Sequence, residues 1–481
     1  MLLFFIGLIL LVAGYATYGR YVEKVLSPDD RPTPAISKAD NVDFLVLPHW
    51  KNMLIQLLNI AGIGPVIGVI IGIKFGSIVF LIIPIGNIIA GATHDFISGM
   101  MSIRGGGANL PAIVKDNLGG AYAKVFSWFS ILILLLVVAV VVNVPAKLID
   151  GEIQGYSLFW WAVAAVFVYY VAATIFPVDK IIGRFYPFFG AVLLLGTLAI
   201  FVSIMCNLFV NPDLLEPTQA FKDMMWREGN QHPILPLLFV TIACGIISGF
   251  HGTQSPIVAR TMKSERQAKS AFYGMMVVEG VIAMVWAAGG MAIYNAFPGL
   301  FSANPNDVLL EITEYFLGSY VGGLTVLSVI VLAITSGDTA MRSIRLSFSE
   351  MFGISQVSMK NRLLVALPFA FLVAVLIYWS NSDAESFGML WNYFAWGNQV
   401  LAVSTLFAGA VWLFRQSKNG WIALVPALFM CFIVVDYIVW ISPAHGGPIG
   451  FGVELYPSYV IAAVVSVALA VIVKRRGSKK R

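Results

Sequence analysis

Glu279 lies in the middle of an apolar stretch, about nine residues from its polar edge, or roughly 14 Å along a helix at 1.5 Å per residue. Ionisable side chains at membrane depth are costly and are functional candidates by default. The chemistry open to this carboxyl is the uptake and release of a proton; the plainer role is a hydrogen-bonded acid between helices. His251 stands in Cys244-Gly-Ile-Ile-Ser-Gly-Phe-His-Gly252, beside Gly249, Thr253 and Gln254. Its imidazole suits either a bound carboxylate or a transported proton, or a structural hydrogen bond. His94 and Asp95 are adjacent, so the carboxylate would orient the imidazole. Neighbours on a helix do not converge on one ligand, which argues against a shared metal site. They are expected near the end of their segment, as a gate or latch. In Thr335-Ser-Gly-Asp-Thr-Ala-Met-Arg342, the Thr335 and Ser336 hydroxyls and a Gly337 carbonyl would suit a hard cation such as sodium. Asp338 and Arg342 are spaced to pair as a second gating element. In Trp391-Asn-Tyr-Phe-Ala-Trp-Gly-Asn-Gln399, Trp391 suits an interfacial belt. Asn398 and Gln399 suit hydrogen bonds across helices or contact with a solute. Asp436, alone in an apolar stretch, acquires no role.

Two irregular stretches would position these groups. Asn59-Ile-Ala-Gly-Ile-Gly-Pro65 interrupts an apolar segment. Pro65 removes a donor and clashes with the preceding turn, while Gly62 and Gly64 lower the cost of non-helical backbone. The Cys244–Gly252 stretch, followed by Pro256, is the second. Freed backbone groups at membrane depth are tolerated only against protein or a watery cavity. One interrupted segment in each half is the sequence pattern of a secondary transporter's binding site. Asn59, Gly62, Gly64, Gly249, His251, Gln254, Asn398 and Gln399 are therefore expected at the solute site, and His251, Glu279, Thr335 and Ser336 at the coupling ion.

The composition agrees: 59% of the 481 residues are hydrophobic and 11% charged, against about 25% charged in soluble proteins. Apolar runs long enough to cross a bilayer fall at about 2–20, 51–73, 77–102, 121–143, 157–176, 186–208, 235–256, 270–294, 319–338, 363–380, 388–414, 421–442 and 456–474. The first lacks the basic flank and cleavage site of a signal peptide and is expected to stay as a membrane helix. Loops following odd-numbered segments carry 26 of the 30 Lys and Arg, and the others 4. By the positive-inside rule the N-terminus then faces outward and the basic tail lies in the cytoplasm. Asn304 to Leu317 has the spacing of an amphipathic helix outside the bilayer, through Val308, Leu309, Ile312, Tyr315 and Phe316.

Five segments separate the starts of the two interrupted ones, so two five-helix units would run in opposite directions, as an inverted repeat requires. The plan is all-α and polytopic. It comprises a leading helix and loop (1–49), a first repeat (50–208), an extracytoplasmic connector (209–234), a second repeat (235–414), and two trailing helices with a basic tail (415–481).

Several functions find no support. The net charge of +5 does not indicate nucleic acid, because basic residues sit between apolar runs rather than on one face. No G-x-x-x-x-G-K-[ST] loop suggests a nucleotide, and no two of His49, His94, His232, His251 and His445 have H-E-x-x-H spacing. Cys206, Cys244 and Cys431 offer neither a disulfide framework nor a zinc spacing. A channel would need a repeated lining, which is absent. A membrane sensor is the remaining alternative, and its output would pass through a separate partner.

At Asn59-Ile-Ala-Gly-Ile-Gly-Pro65, Gly91-Ala-Thr-His-Asp-Phe96, Phe239 to Pro256, Ala259-Arg260, Thr335-Ser-Gly-Asp-Thr-Ala340 and Trp391 to Gln399, the chain resembles the carbon starvation family of prokaryotic peptide and pyruvate transporters. The matches run in order from about residue 50 to 400. The resemblance implies ion-driven import of small peptides or pyruvate across the cytoplasmic membrane, without a cofactor. It also implies kinship with the amino acid–polyamine–organocation superfamily, whose leucine-transporter-like core agrees with the five-plus-five plan. The chain is shorter than the long members, lacking much of their C-terminal region. Glu279 and His251 favour the proton as coupling ion over sodium, which Thr335 and Ser336 would serve.

Overall fold

The computed structural model describes residues 1–40, 42–152, 158–176, 182–226, 232–382, 384–445 and 447–479. Among them the chain is helical throughout, without a strand. The expected segments appear as α1 (Leu2–Leu26), α2 (His49–Ile60 and Gly64–Phe75), α3 (Val79–Arg104), α4 (Gly120–Ile149), α5 (Phe159–Ile175), α6 (Gly190–Val210) and α7 (Ile234–Ala259). They continue as α8 (Glu265–Ala296), α9 (Pro305–Phe352), α10 (Met359–Ser380), α11 (Ser386–Arg415), α12 (Trp421–Trp440) and α13 (Leu455–Ser478). Residue 157, the expected start of the fifth segment, and residues 227–231 of the expected connector lie outside the described residues.

The two halves of α2 meet at 53°. Ala61 leaves the helical region (φ −73°, ψ 53°), and Pro65 opens the second half where its missing N–H costs nothing. In α7 a 3-10 turn at Ala243–Gly245 gives way to extended backbone at Ser248 (φ −136°, ψ 133°) before helix resumes at Gly249. The glycines are needed because the breaks touch. A Cβ on Gly64 would stand 2.2 Å from the Cβ of Cys244.

Helices α2, α3, α7 and α8 pack on one another, α4 and α9 run along each other, and α11 carries α12 and α13 on its outer side. α9 departs from expectation. Gly318, at φ 69° and ψ 174°, separates an amphipathic first part, burying Val308, Leu309, Ile312 and Phe316, from the membrane part. Tyr315 points outward. Beyond Gly318 the helix continues to Phe352, so the expected end near residue 338 is wrong. Gly337 keeps helical backbone and exposes no carbonyl for a cation; its lack of a side chain admits the Tyr170 ring, 2.1 Å from where a Cβ would be.

Residues 27–40 and 42–48 form a strap over the Lys- and Arg-rich end of the bundle. Leu45 and Leu47 N–H groups donate to the carbonyls of Arg260 (3.3 Å) and Thr261 (3.0 Å) at the end of α7. Asp40 Oδ1 accepts from the backbone of Val42, Asp43 and Phe44, which holds Asp43 against α9.

Candidate functional site

A break in a helix frees carbonyls on one side and N–H groups on the other. Side chains from the neighbouring helices take them up here. On α2, Thr335 Oγ1 donates to Leu58 O at 2.9 Å and Ser336 Oγ to Asn59 O at 3.2 Å. On α7, Asn398 Oδ1 accepts from Phe250 N–H at 2.6 Å, its Nδ2 donates to Ser248 Oγ, and Gln399 Nε2 donates to Val240 O at 3.0 Å. Each break thus has a polar clamp from the other layer, α9 for α2 and α11 for α7.

Between the breaks lies a small cavity of about 30 Å³. Its walls include Gly62 and Gly64 of α2, Cys244 and His251 of α7, Ser336 of α9 and Asn398 of α11. Asn59 does not line it; its carbonyl is held by Ser336. Gly249 instead lets α7 and α11 touch, its missing Cβ lying 2.2 Å from Asn398 O. Gln399 is spent on the clamp, and Gln254 is fully buried with no hydrogen-bond partner for either amide atom among the described residues.

Behind His251 stands a chain of titratable groups. Its Nδ1 is 3.4 Å from Asp95 Oδ1 and its Nε2 3.8 Å from Glu279 Oε1. Asp95 Oδ1 also meets His94 Nδ1 at 2.9 Å, and Asp95 Oδ2 accepts from Gln56 Nε2 at 3.1 Å. All are buried to within 1%. Neither Glu279 oxygen has a hydrogen-bond donor among the described residues. Buried acids without donors are unusual in structural roles and expected in proton-handling ones. His94 and Asp95 therefore do not sit at a segment's end as a gate. α3 turns them into the bundle because Gly91, where a Cβ would be 1.8 Å from Ile246 O, brings α3 against α7. Gln56 was not singled out by the sequence.

The expected Asp338–Arg342 gate is also rearranged. Asp338 accepts from Tyr169 OH at 2.8 Å, while Arg342 Nη1 donates to Asp43 at 2.8 Å and Nη2 to the carbonyls of Ala173 and Phe176. Arg345 Nη2 is 3.4 Å from the same carboxylate. Burial pushes the Asp43 carboxyl up, but Arg345, Arg342 and Arg260 outweigh it and hold the group at about 2. Charged strap and charged helix end thus close this face of the bundle.

The model of the family described as carbon starvation protein CstA matches residues 1–159, 151–303 and 301–436. The chain belongs to this family. An uncharacterized membrane protein of Haemophilus influenzae is 38% identical over 342 residues, 61% of this chain and 92% of that protein. The peptide transporter CstA of Escherichia coli is 25% identical over 570 residues, covering 89% and 79%. The pyruvate/proton symporter BtsT of the same organism is 26% identical over 356 residues, covering 61% of this chain and 48% of that one. In fold, this CstA-family chain is similar to MhsT in complex with L-phenylalanine (TM-score 0.58, 11% identity, 90% and 99% covered). It is also similar to the Eremococcus coleocola manganese transporter (0.56, 14%, 91% and 99%). Its family and its named relatives make the chain a multi-pass secondary transporter, not an enzyme.

Proposed function

We propose that this CstA-family chain imports a small carboxylate-bearing solute, a short peptide or pyruvate, in symport with a proton. The carrying observation is His251, which lines the cavity on one side and meets Asp95 and Glu279 on the other. A proton arriving from outside is shared between Glu279 and the imidazole, and the imidazolium attracts the solute carboxylate into the cavity. Asp95, held by His94 and Gln56, positions the ring. When the bundle reopens inward, the solute leaves, the proton follows and His251 returns to neutral. The names of the Escherichia coli relatives, a peptide transporter and a pyruvate/proton symporter, support the solute class. The orientation follows the charge bias: N-terminus outside, strap and basic tail in the cytoplasm, in the cytoplasmic membrane. The division into repeats at 50–208 and 235–414 belongs to the same proposal.

A second reading has its own observation. Thr335 and Ser336 gather hydroxyls beside the Leu58 and Asn59 carbonyls, an oxygen set suited to sodium.

The test is uptake of labelled pyruvate and labelled dipeptides into liposomes under an inward proton gradient. Accumulation should collapse with a protonophore and persist without sodium. Glu279→Gln should lose uphill accumulation yet keep solute exchange across the membrane. A sodium requirement would move the ion to Thr335 and Ser336. Failure of both solutes would overturn the solute class and favour a sensor.

A further inference from the structure

An apolar opening in the membrane region lies away from the transport cavity, on the outer side of α11 where α12 and α13 pack. This crevice has a volume of about 320 Å³. Its floor is buried and apolar, built by Val403, Phe407, Cys431, Val434 and Val473. Its rim is open, with Tyr122, Leu469 and Ile472 exposed on the flank. The two hydroxyls on the wall, Tyr122 and Ser404, are bonded to each other at 2.8 Å, so neither calls for water. At the basic end stands Arg476. Its Nε donates to Asn117 O at 2.8 Å, at the C-terminus of the short helix Leu110–Leu118. This bond fixes the guanidinium at the mouth, and among the described residues neither Nη1 nor Nη2 has an acceptor.

We propose that this crevice is a binding site for one anionic phospholipid, with an acyl chain between α11, α12 and α13 and its phosphate on Arg476. The size and dryness of the groove select a hydrocarbon tail. A tail gains little by leaving other tails, since lipid is as apolar as the groove, so retention depends on the headgroup. A planar guanidinium with two free donors fits a phosphate bidentately. The negative headgroup adds attraction to the cationic end, where Arg415 also lies, bonded to Asp116 O at 2.9 Å. One cation near the surface favours an anionic lipid about fivefold.

The test is native mass spectrometry of the purified full chain after equilibration with equal phosphatidylglycerol and phosphatidylethanolamine. The wild type is expected to retain one phosphatidylglycerol with about fivefold preference. Arg476→Gln should retain both lipids equally, and Val403→Trp, which fills the floor, should retain one lipid fewer of either kind. Unchanged preference in Arg476→Gln, or unchanged lipid number in a folded Val403→Trp, would overturn the site. Arg476 is only half-buried, at the mouth of the crevice, so its variant decides the matter even if the tryptophan variant misfolds. Neither readout depends on transport.

Discussion

Asp43→Asn tests whether the strap is a charged latch. The substitution keeps the shape of the side chain and removes the charge that faces Arg342 at 2.8 Å and Arg345 at 3.4 Å, both arginines being fully buried. Removing one partner of a buried ion pair costs about 3–5 kcal/mol, because the remaining charge stays desolvated. Titration gives a second route to the size. The carboxyl is held at about 2, against roughly 3.9 for a free aspartate, a difference worth on the order of 2–3 kcal/mol. A lowered folded value means that this stabilisation is complete above about pH 4. It disappears as pH falls through 2. Asp43→Asn should therefore be less stable than wild type at pH 7 in thermal unfolding, and the gap should close on acidification over that window. Aspartates elsewhere titrate there too, so the difference between the two proteins is the quantity to follow. Opening can be read separately with Cys244, which lines the cavity. In a Cys206→Ser, Cys431→Ser background, maleimide labelling of Cys244 from the basic side should rise by tens of fold, the population shift that 2–3 kcal/mol allows. Equal labelling rates together with a constant stability gap from pH 7 to 2 would refute the latch.

Three further substitutions separate packing from coupling. Gly249→Ala would force a Cβ to within 2.2 Å of Asn398 O and 2.3 Å of Leu401 Cβ; overpacking of this kind costs about 1–3 kcal/mol, so its melting temperature should drop, whereas Gly323→Ala, with nothing within 4 Å, should not lower it. Thr335→Val removes the donor to Leu58 O, and an orphaned buried carbonyl costs about 1–3 kcal/mol. If protons drive transport, this variant should slow uptake while leaving its pH dependence unchanged; loss of gradient coupling would favour the sodium reading.

The breaks were legible because glycine and proline act locally: Gly62, Gly64 and Pro65 deny the helix its geometry wherever they sit. The thirteen apolar segments were legible for a similar reason, since membrane burial demands length and hydropathy. The partnership of Asp95 with His251 was not. It depends on how closely α3 approaches α7, and single positions on a helix do not announce which neighbour they face. A usable signal was present in Gly91, Ala92 and Gly99 around His94, since small residues mark close helix contacts in membranes. Thr335 and Ser336 stand out for their oxygens, and the structure uses those oxygens as donors to the broken segment of α2. Asp43 had no local signal, because nothing in a polar loop distinguishes the carboxylate that will meet two arginines some 300 residues away.

The distribution of these bonds between helices has a consequence for how a proton and a solute could be moved together. Gln56, His94, Asp95, His251 and Glu279 belong to α2, α3, α7 and α8, which pack on one another. Their mutual distances are set within one body and survive any rigid tilt of it. The clamps run the other way: Thr335 and Ser336 reach from α9 to α2, and Asn398 and Gln399 from α11 to α7. Arg342 and Arg345 likewise reach from α9 to the strap ahead of α2. A tilt of the four-helix body against α9 and α11 must therefore exchange clamps and latch while the titratable chain stays assembled. The cavity lies on the seam, so His251 is the side chain that senses both. In the proposed symport, a charge placed on His251 would change its attraction to the solute without changing the internal geometry that holds the ring. Alternating access then requires only that the seam have two nearly equal closures, each clamped by a few hydrogen bonds worth about 1 kcal/mol apiece.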